Sequence, residues 1–104
     1  MESSFSQRVY DLALIIPPGF VTTYGILAKS AGGGAMAARS ITSILSKAPN
    51  QSSIPYHRIV YSNGTVWLPE GQEAKRQAMY TTEDITVDDS GRICNFEEIL
   101  WYFN

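Results

Sequence analysis

The chain has 104 residues, 44% of them hydrophobic and 12% aromatic, which suits one compact domain, residues 1–104, with a real core. No apolar run approaches the roughly 18 residues of a membrane span, and no basic segment followed by an apolar block suggests a secretory signal. A net charge of −2 argues weakly against nucleic acid, and the lone Cys94 excludes an internal disulfide and a zinc site built on several cysteines.

No metal and no cofactor is expected, and the protein is expected in the cytoplasm, on the nucleoid in a bacterium and in the nucleus in a eukaryote. The average charge conceals a polarity. Between Leu12 and Pro69 there is no Asp or Glu, while Lys29, Arg39, Lys47, His57 and Arg58 fall there. From Glu70 to Glu98 eight acids face Lys75, Arg76 and Arg92. The first two thirds could therefore present a basic surface to phosphates.

Phe5, Val9, Leu12, Ala13 and Ile16 repeat at helical spacing, with Ser3 or Ser4 as cap and Pro17-Pro18-Gly19 as stop. A short extended link leads to Thr22 or Thr23, either of which can cap a second helix running to about Ala31. Gly32-Gly33-Gly34 breaks the chain. A third helix is predicted from about Met36 to Lys47, burying Ala37, Ile41, Ile44, Leu45 and Ala48. Its outer face is small, with Ser40 and Ser43, and Arg39 is its one long arm.

Residues 59–67 alternate around Ser62-Asn63-Gly64 and predict a hairpin. Glu73–Tyr80 reads as a further helix. Ile85–Val87 and Arg92–Cys94 are extended pieces around a turn at Asp88–Gly91. Asn95 and Glu98 have capping-box spacing for a last helical turn, with Leu100, Trp101 and Phe103 packing back. Helix, glycine-rich turn, helix and hairpin make a winged helix-turn-helix, mainly α with a small β wing.

The stretch IPYHRIV, from Ile54 to Val60, carries the only histidine. With PPGFVTTYGILAKSAG, AARSITSIL, EGQEAKRQAMYTTED and FEEILW it resembles, in order and over nearly the whole chain, the alkyltransferase-like proteins. These are short relatives of the O6-alkylguanine-DNA alkyltransferases that match their C-terminal DNA-binding domain. The resemblance implies that Tyr24 presses on the phosphate backbone, that Thr23 contacts a phosphate, and that Arg39 fills the gap left by an extruded base. Ser40, Ser43 and Arg58 complete the implied DNA contacts.

His57 and Glu83 match the pair that activates the transferase cysteine, and Tyr56 stands where that cysteine would be. Ala48 replaces an asparagine of the transferases. The lesion pocket is expected from Tyr24, Pro55, Tyr56, Ile59, Trp67, Leu68 and Pro69.

A phenol, with a pKa near 10, is a far poorer nucleophile toward carbon than a thiol near 8.5. The resemblance therefore implies no catalysis: a monomer that binds O6-alkylguanine in duplex DNA, flips the nucleotide, and flags it for nucleotide excision repair proteins. Two other readings stay open. A sequence-specific winged-helix regulator would want more Asn, Gln or Arg on its recognition helix. A residual alkyltransferase would have to act through Tyr56 or Cys94.

Overall fold

Ser4 opens the first helix in the computed structural model, which describes residues 4–34, 36–49, 51–68 and 70–103. Its Oγ accepts from the Gln7 N–H, so Ser4 is the cap of α1, Phe5–Leu14; Ser3 lies outside the described residues. Ile15 ends α1 just before the proline pair that cannot continue it. Thr22 and Thr23 form β1, and Thr23 Oγ1 then caps α2, Tyr24–Ser30, by accepting from the Ile26 N–H at 3.1 Å.

The predicted third helix is divided. Ala37–Ser40 is a 3-10 turn, and α3 proper is Ile41–Ser46. No side chain caps either piece, so the tighter turn takes up the N-terminal backbone groups. Gly33 allows this turn to approach α2 and α1. A Cβ there would lie 2.5 Å from Ala37 Cβ and 2.9 Å from Phe5 Cε1.

The largest departure from expectation is the sheet. Ile59–Val60, β2, does not pair with residues 65–67. It pairs in parallel with β1, with Thr22 opposite Ile59 and Thr23 opposite Val60. The Asn63–Gly64 turn forms, closed by the Gly64 N–H on Tyr61 O at 2.9 Å, but Thr65 bridges to Arg92 and not to a partner strand. The wing is thus a tight loop braced by the C-terminal segment. Gly64 makes the brace possible: its φ is +85°, and a Cβ would meet Phe96 Cγ at 2.9 Å.

β1 and β2 stand between two core clusters. Alternation sends Ile59 toward the helical cluster with Val9, Ala13, Leu27, Ile41 and Leu45. Val60 goes to the second, with Val21, Val66, Tyr80, Ile85, Ile93 and Phe96. Tyr80 comes from α4, Glu73–Thr82, which runs past Tyr80, the end of the predicted helix, to Thr82. Val87 bridges Ile93 around the Asp88 turn, as expected.

Asn95 makes no side-chain cap, and the last helical turn shrinks to the 3-10 piece Phe96–Glu98. Leu100 joins the second cluster and pairs with Val21, while Trp101 and Phe103 pack on the first.

Candidate nucleic-acid interface

The parallel pair β1–β2 has a direct consequence for the site. It holds the cap of α2 beside the strip Pro55–Arg58, so Tyr24 and the Tyr56 region are positioned by one short ladder. Tyr56–Arg58 is a 3-10 turn leading into β2.

Glu83, the C-cap of α4, is the hub beneath that strip. Its carboxylate pairs with His57 Nε2, accepts from Arg58 Nη2 at 2.9 Å and Arg58 Nε at 3.0 Å, and accepts from the Gly19 N–H at 2.9 Å. Burial opposes its ionisation, but Arg58, the Gly19 N–H and His57 outweigh it and hold the carboxyl down to about 2. His57 is buried, and desolvation lowers its pKa despite the Glu83 partner, so the ring is neutral near pH 7. The His57–Glu83 pair expected from the sequence is therefore present.

Arg58 corrects the expected contact set. Its guanidinium is tied to Glu83 and donates from Nη1 to Ile16 O at 3.0 Å. This cation locks the α1–β1 turn to the strip and is turned away from solvent phosphates.

Tyr56 is half-buried, and its hydroxyl lies 3.0 Å from Leu45 O and also bonds Gln51 Oε1. Gln51 Nε2 in turn donates to Ala48 O at 2.8 Å, so the pair closes the C-terminus of α3. Burial raises the Tyr56 phenol, with the Gln51 bond working the other way, so no phenolate is available near neutral pH.

The expected lesion pocket is split between two concavities. Tyr24 and Trp67 line a groove of about 480 Å³ together with Gly25, Ala38, Arg39, Thr42, Tyr61 and Ser62. This lies within the roughly 300–1,000 Å³ usual for small-ligand sites. Tyr56 and His57 line a smaller cavity of about 180 Å³ with Gln51, Ile54, Lys75, Arg76 and Met79. Arg76 marks the boundary: its Cζ sits 6.0 Å over the Trp67 ring, which also lines the groove.

Ile59 lines neither concavity, because strand alternation turns it into the helical core. Pro55 is buried and lines neither, Leu68 packs on the second core cluster, and Pro69 lies outside the described residues.

Arg39, Ser40 and Ser43 are exposed on the 3-10 turn and α3. Nothing among the described residues holds the Arg39 guanidinium, so it is free to reach outward. Thr23 is buried, with its hydroxyl engaged as the α2 cap.

Tyr61 was missed in the sequence. It stacks at a tilt on Tyr24, centroids 5.6 Å apart, and its signal was there: two residues past Ile59, on a strand too short to keep its alternation. Burial, then the neighbouring Tyr61, pushes the Tyr24 phenol up, which keeps it a neutral donor. Arg76 was also missed; it lies four residues before the buried Tyr80, on the same face of α4.

The family model for the 6-O-methylguanine DNA methyltransferase, DNA binding domain, matches residues 4–85. A protein of Escherichia coli (strain K12) named DNA base-flipping protein is 39% identical over 102 residues, 98% of this chain and 78% of that protein. Alkyltransferase-like protein 1 of Schizosaccharomyces pombe is 34% identical over 62 residues, 60% of this chain and 56% of that protein.

Among solved structures, S. pombe Atl1 in complex with damaged DNA containing O6-carboxymethylguanine has a TM-score of 0.73 and 26% identity. That likeness covers 97% of this chain and 98% of the other. By the span of the matched model and the likeness of these relatives, the chain belongs to the family of the 6-O-methylguanine DNA methyltransferase DNA-binding domain, on its alkyltransferase-like branch.

Proposed function

We propose that this protein, as one domain and a monomer, binds duplex DNA carrying O6-alkylguanine, turns the damaged nucleotide out of the helix and holds it without taking the alkyl group. One observation carries the reading: Tyr24 and Arg39 line one groove beside a strip whose nucleophile position holds a neutral, hydrogen-bonded phenol. Extruding a base costs a few kcal/mol, less when it pairs badly, as an O6-alkylguanine does. The Tyr24–Tyr61 pair and Trp67 offer aromatic faces, each worth about 1–3 kcal/mol to a stacked base.

His57 and Glu83 have no thiol to activate. Their role is to hold the strip rigid through a shared carboxylate. The complex then serves as a flag for nucleotide excision repair proteins, and the protein works wherever the chromosome lies, nucleoid or nucleus.

The test is a binding comparison between a duplex with one O6-methylguanine and the unmodified duplex. Tighter binding to the first is expected, with the lesion recovered intact and the protein mass unchanged. Equal affinity removes the lesion reading. A mass gain on the protein removes the claim that it transfers nothing.

Salt dependence follows from the same surface. With Arg58 turned inward, Lys29, Arg39 and Lys47 are the cations of the acid-free stretch that remain exposed. The slope of log K against log salt is therefore expected at about −3, from roughly 0.9 counterion per phosphate contact. Titration at four or five salt concentrations checks it, and a slope near zero places the DNA elsewhere.

A further inference from the structure

The smaller cavity, about 180 Å³, falls below the roughly 300–1,000 Å³ of a whole small-ligand site, a size for a substituent and not for a base. Tyr56, at the nucleophile position, is part of its wall, and α4 supplies Lys75 and Arg76 to the same lining. No Asp or Glu lines it among the described residues.

The charge of these two residues is uncommitted. The ion pairs among the described residues join Glu83 to His57 and Arg58, and neither Lys75 nor Arg76 takes part. The acids nearest along the chain are used elsewhere: Glu73 accepts from the Gly71 N–H at 3.0 Å, and Glu83 is tied beneath the strip. Arg76 is half-buried, yet its Nη1 reaches Trp67 O only at 3.4 Å, beyond ordinary hydrogen-bond length. Its neighbour on the core side is the Tyr80 phenol, which burial pushes up to about 12 against the pull of Arg76. That neutral phenol leaves the guanidinium charge uncompensated.

The neutral groups of the cavity are already spent. The Tyr56 hydroxyl bonds Leu45 O and Gln51 Oε1, Gln51 Nε2 bonds Ala48 O, and His57 Nε2 is paired with Glu83. The cavity also adjoins the groove at Arg76. The guanidinium lies over the Trp67 ring that lines the groove, and its charge reaches the Tyr24 phenol there.

We propose that Lys75 and Arg76 form a cationic subsite that receives an acidic substituent carried on the O6 of the extruded guanine. The inference rests on the base-flipping reading above and names the lesion class that the same site favours. A base in the groove directs its O6 substituent toward the nucleophile position, where Tyr56 and the two cations share one wall. A carboxylate there takes charge-assisted hydrogen bonds from the guanidinium and the ammonium. An uncharged substituent of the same shape leaves both cations unpaired.

The test compares duplexes carrying O6-carboxymethylguanine and O6-carbamoylmethylguanine, which match in shape and differ in charge, with O6-methylguanine and plain duplexes as references. The wild type is expected to bind the carboxymethyl lesion about tenfold more tightly than the carbamoylmethyl lesion, the scale of one hydrogen bond to a charged group in a half-open site. That ratio should fall to about one in the Lys75→Gln, Arg76→Gln double variant. Lys75 is exposed, so Lys75→Gln alone supplies a variant that leaves the packing of α4 intact, and its ratio should lie between the two.

If the wild type does not prefer O6-methylguanine over the plain duplex, the base-flipping reading falls and this inference with it. If it does, and the two matched lesions bind equally, only the inference is overturned. A ratio that survives in both variants overturns it too. So does an equal loss on all four duplexes with the ratio intact, which would assign the two cations to the DNA phosphates.

Discussion

Glu83→Ala is expected to destabilise the fold by about 3 kcal/mol, the lower end of the range for breaking a buried ion pair. Glu83 receives His57, Arg58 and the Gly19 N–H, which come from the strip and the α1–β1 turn. Removing it leaves the Arg58 guanidinium with Ile16 O as its remaining partner. Arg58 keeps 18% of its side-chain surface exposed, so solvent recovers part of the loss, hence the lower end. In a chain of this length such a loss lowers the unfolding temperature by on the order of 10–20 °C.

The effect has a pH signature. Glu83 titrates at about 2 in the folded chain against an ordinary 4.5, so its contribution is complete above about pH 4.5 and is lost as pH falls toward 2. His57 acts in the same direction. Desolvation lowers its folded pKa below 6.5, so the unfolded chain takes up that proton first as pH drops below 6.5.

Wild-type unfolding temperature should decline steadily from pH 7 to pH 3. Glu83→Ala should flatten the arm below about 4.5. Calorimetry of both proteins across that range decides it; a variant as stable as the wild type, with the same acid arm, would detach Glu83 from the fold.

Arg39→Ala and Tyr24→Ala should each weaken lesion binding by about 1–3 kcal/mol, roughly tenfold to a hundredfold. The two side chains approach the groove from different elements, Arg39 from the 3-10 turn before α3 and Tyr24 from the first turn of α2. Arg39 is exposed, so its loss should leave the unfolding temperature unchanged. Tyr24 also packs on the helical core and on Tyr61, so its alanine variant mixes binding with stability.

Tyr24→Phe separates the two. It retains the ring and the packing and loses only the hydroxyl. It should fall between wild type and Tyr24→Ala in affinity while unfolding like the wild type. A fluorescent reporter base beside the lesion should drop toward its stacked intensity with both alanine variants. Full affinity and full fluorescence in both would leave base extrusion without its machinery.

Much of the architecture is legible locally. Ser4 and Thr23 cap helices because their hydroxyls reach a backbone N–H three residues on, a contact that needs nothing from the rest of the chain. Pro17 ends α1, Gly64 turns the wing and Asp88 closes its own loop for the same reason: each acts through its own backbone or a near neighbour. The strip Ile54–Val60, read in order with four further stretches along nearly the whole chain, was enough to identify the family.

What only the tertiary structure decided is where long or polar side chains find partners distant in sequence. Arg58 was expected to meet phosphate. It turns inward because Glu83 and Ile16, 25 and 42 residues away, meet beneath the strip. Ile59 was expected in the pocket and lies in the core, because β2 pairs with β1 and not with its own hairpin. A two-residue strand carries too little periodicity to announce that register.

Tyr56 was expected as a wall of the lesion pocket. Its hydroxyl reaches Leu45 O at the end of α3, eleven residues back, and its ring lines the smaller cavity. Tyr80 closes the helix expected at Glu73–Tyr80, and the structure buries its ring in the second core cluster. Only the tertiary packing sets that ring edge-on to His57, because such contacts depend on all the neighbours in space and not on the order of residues along the chain.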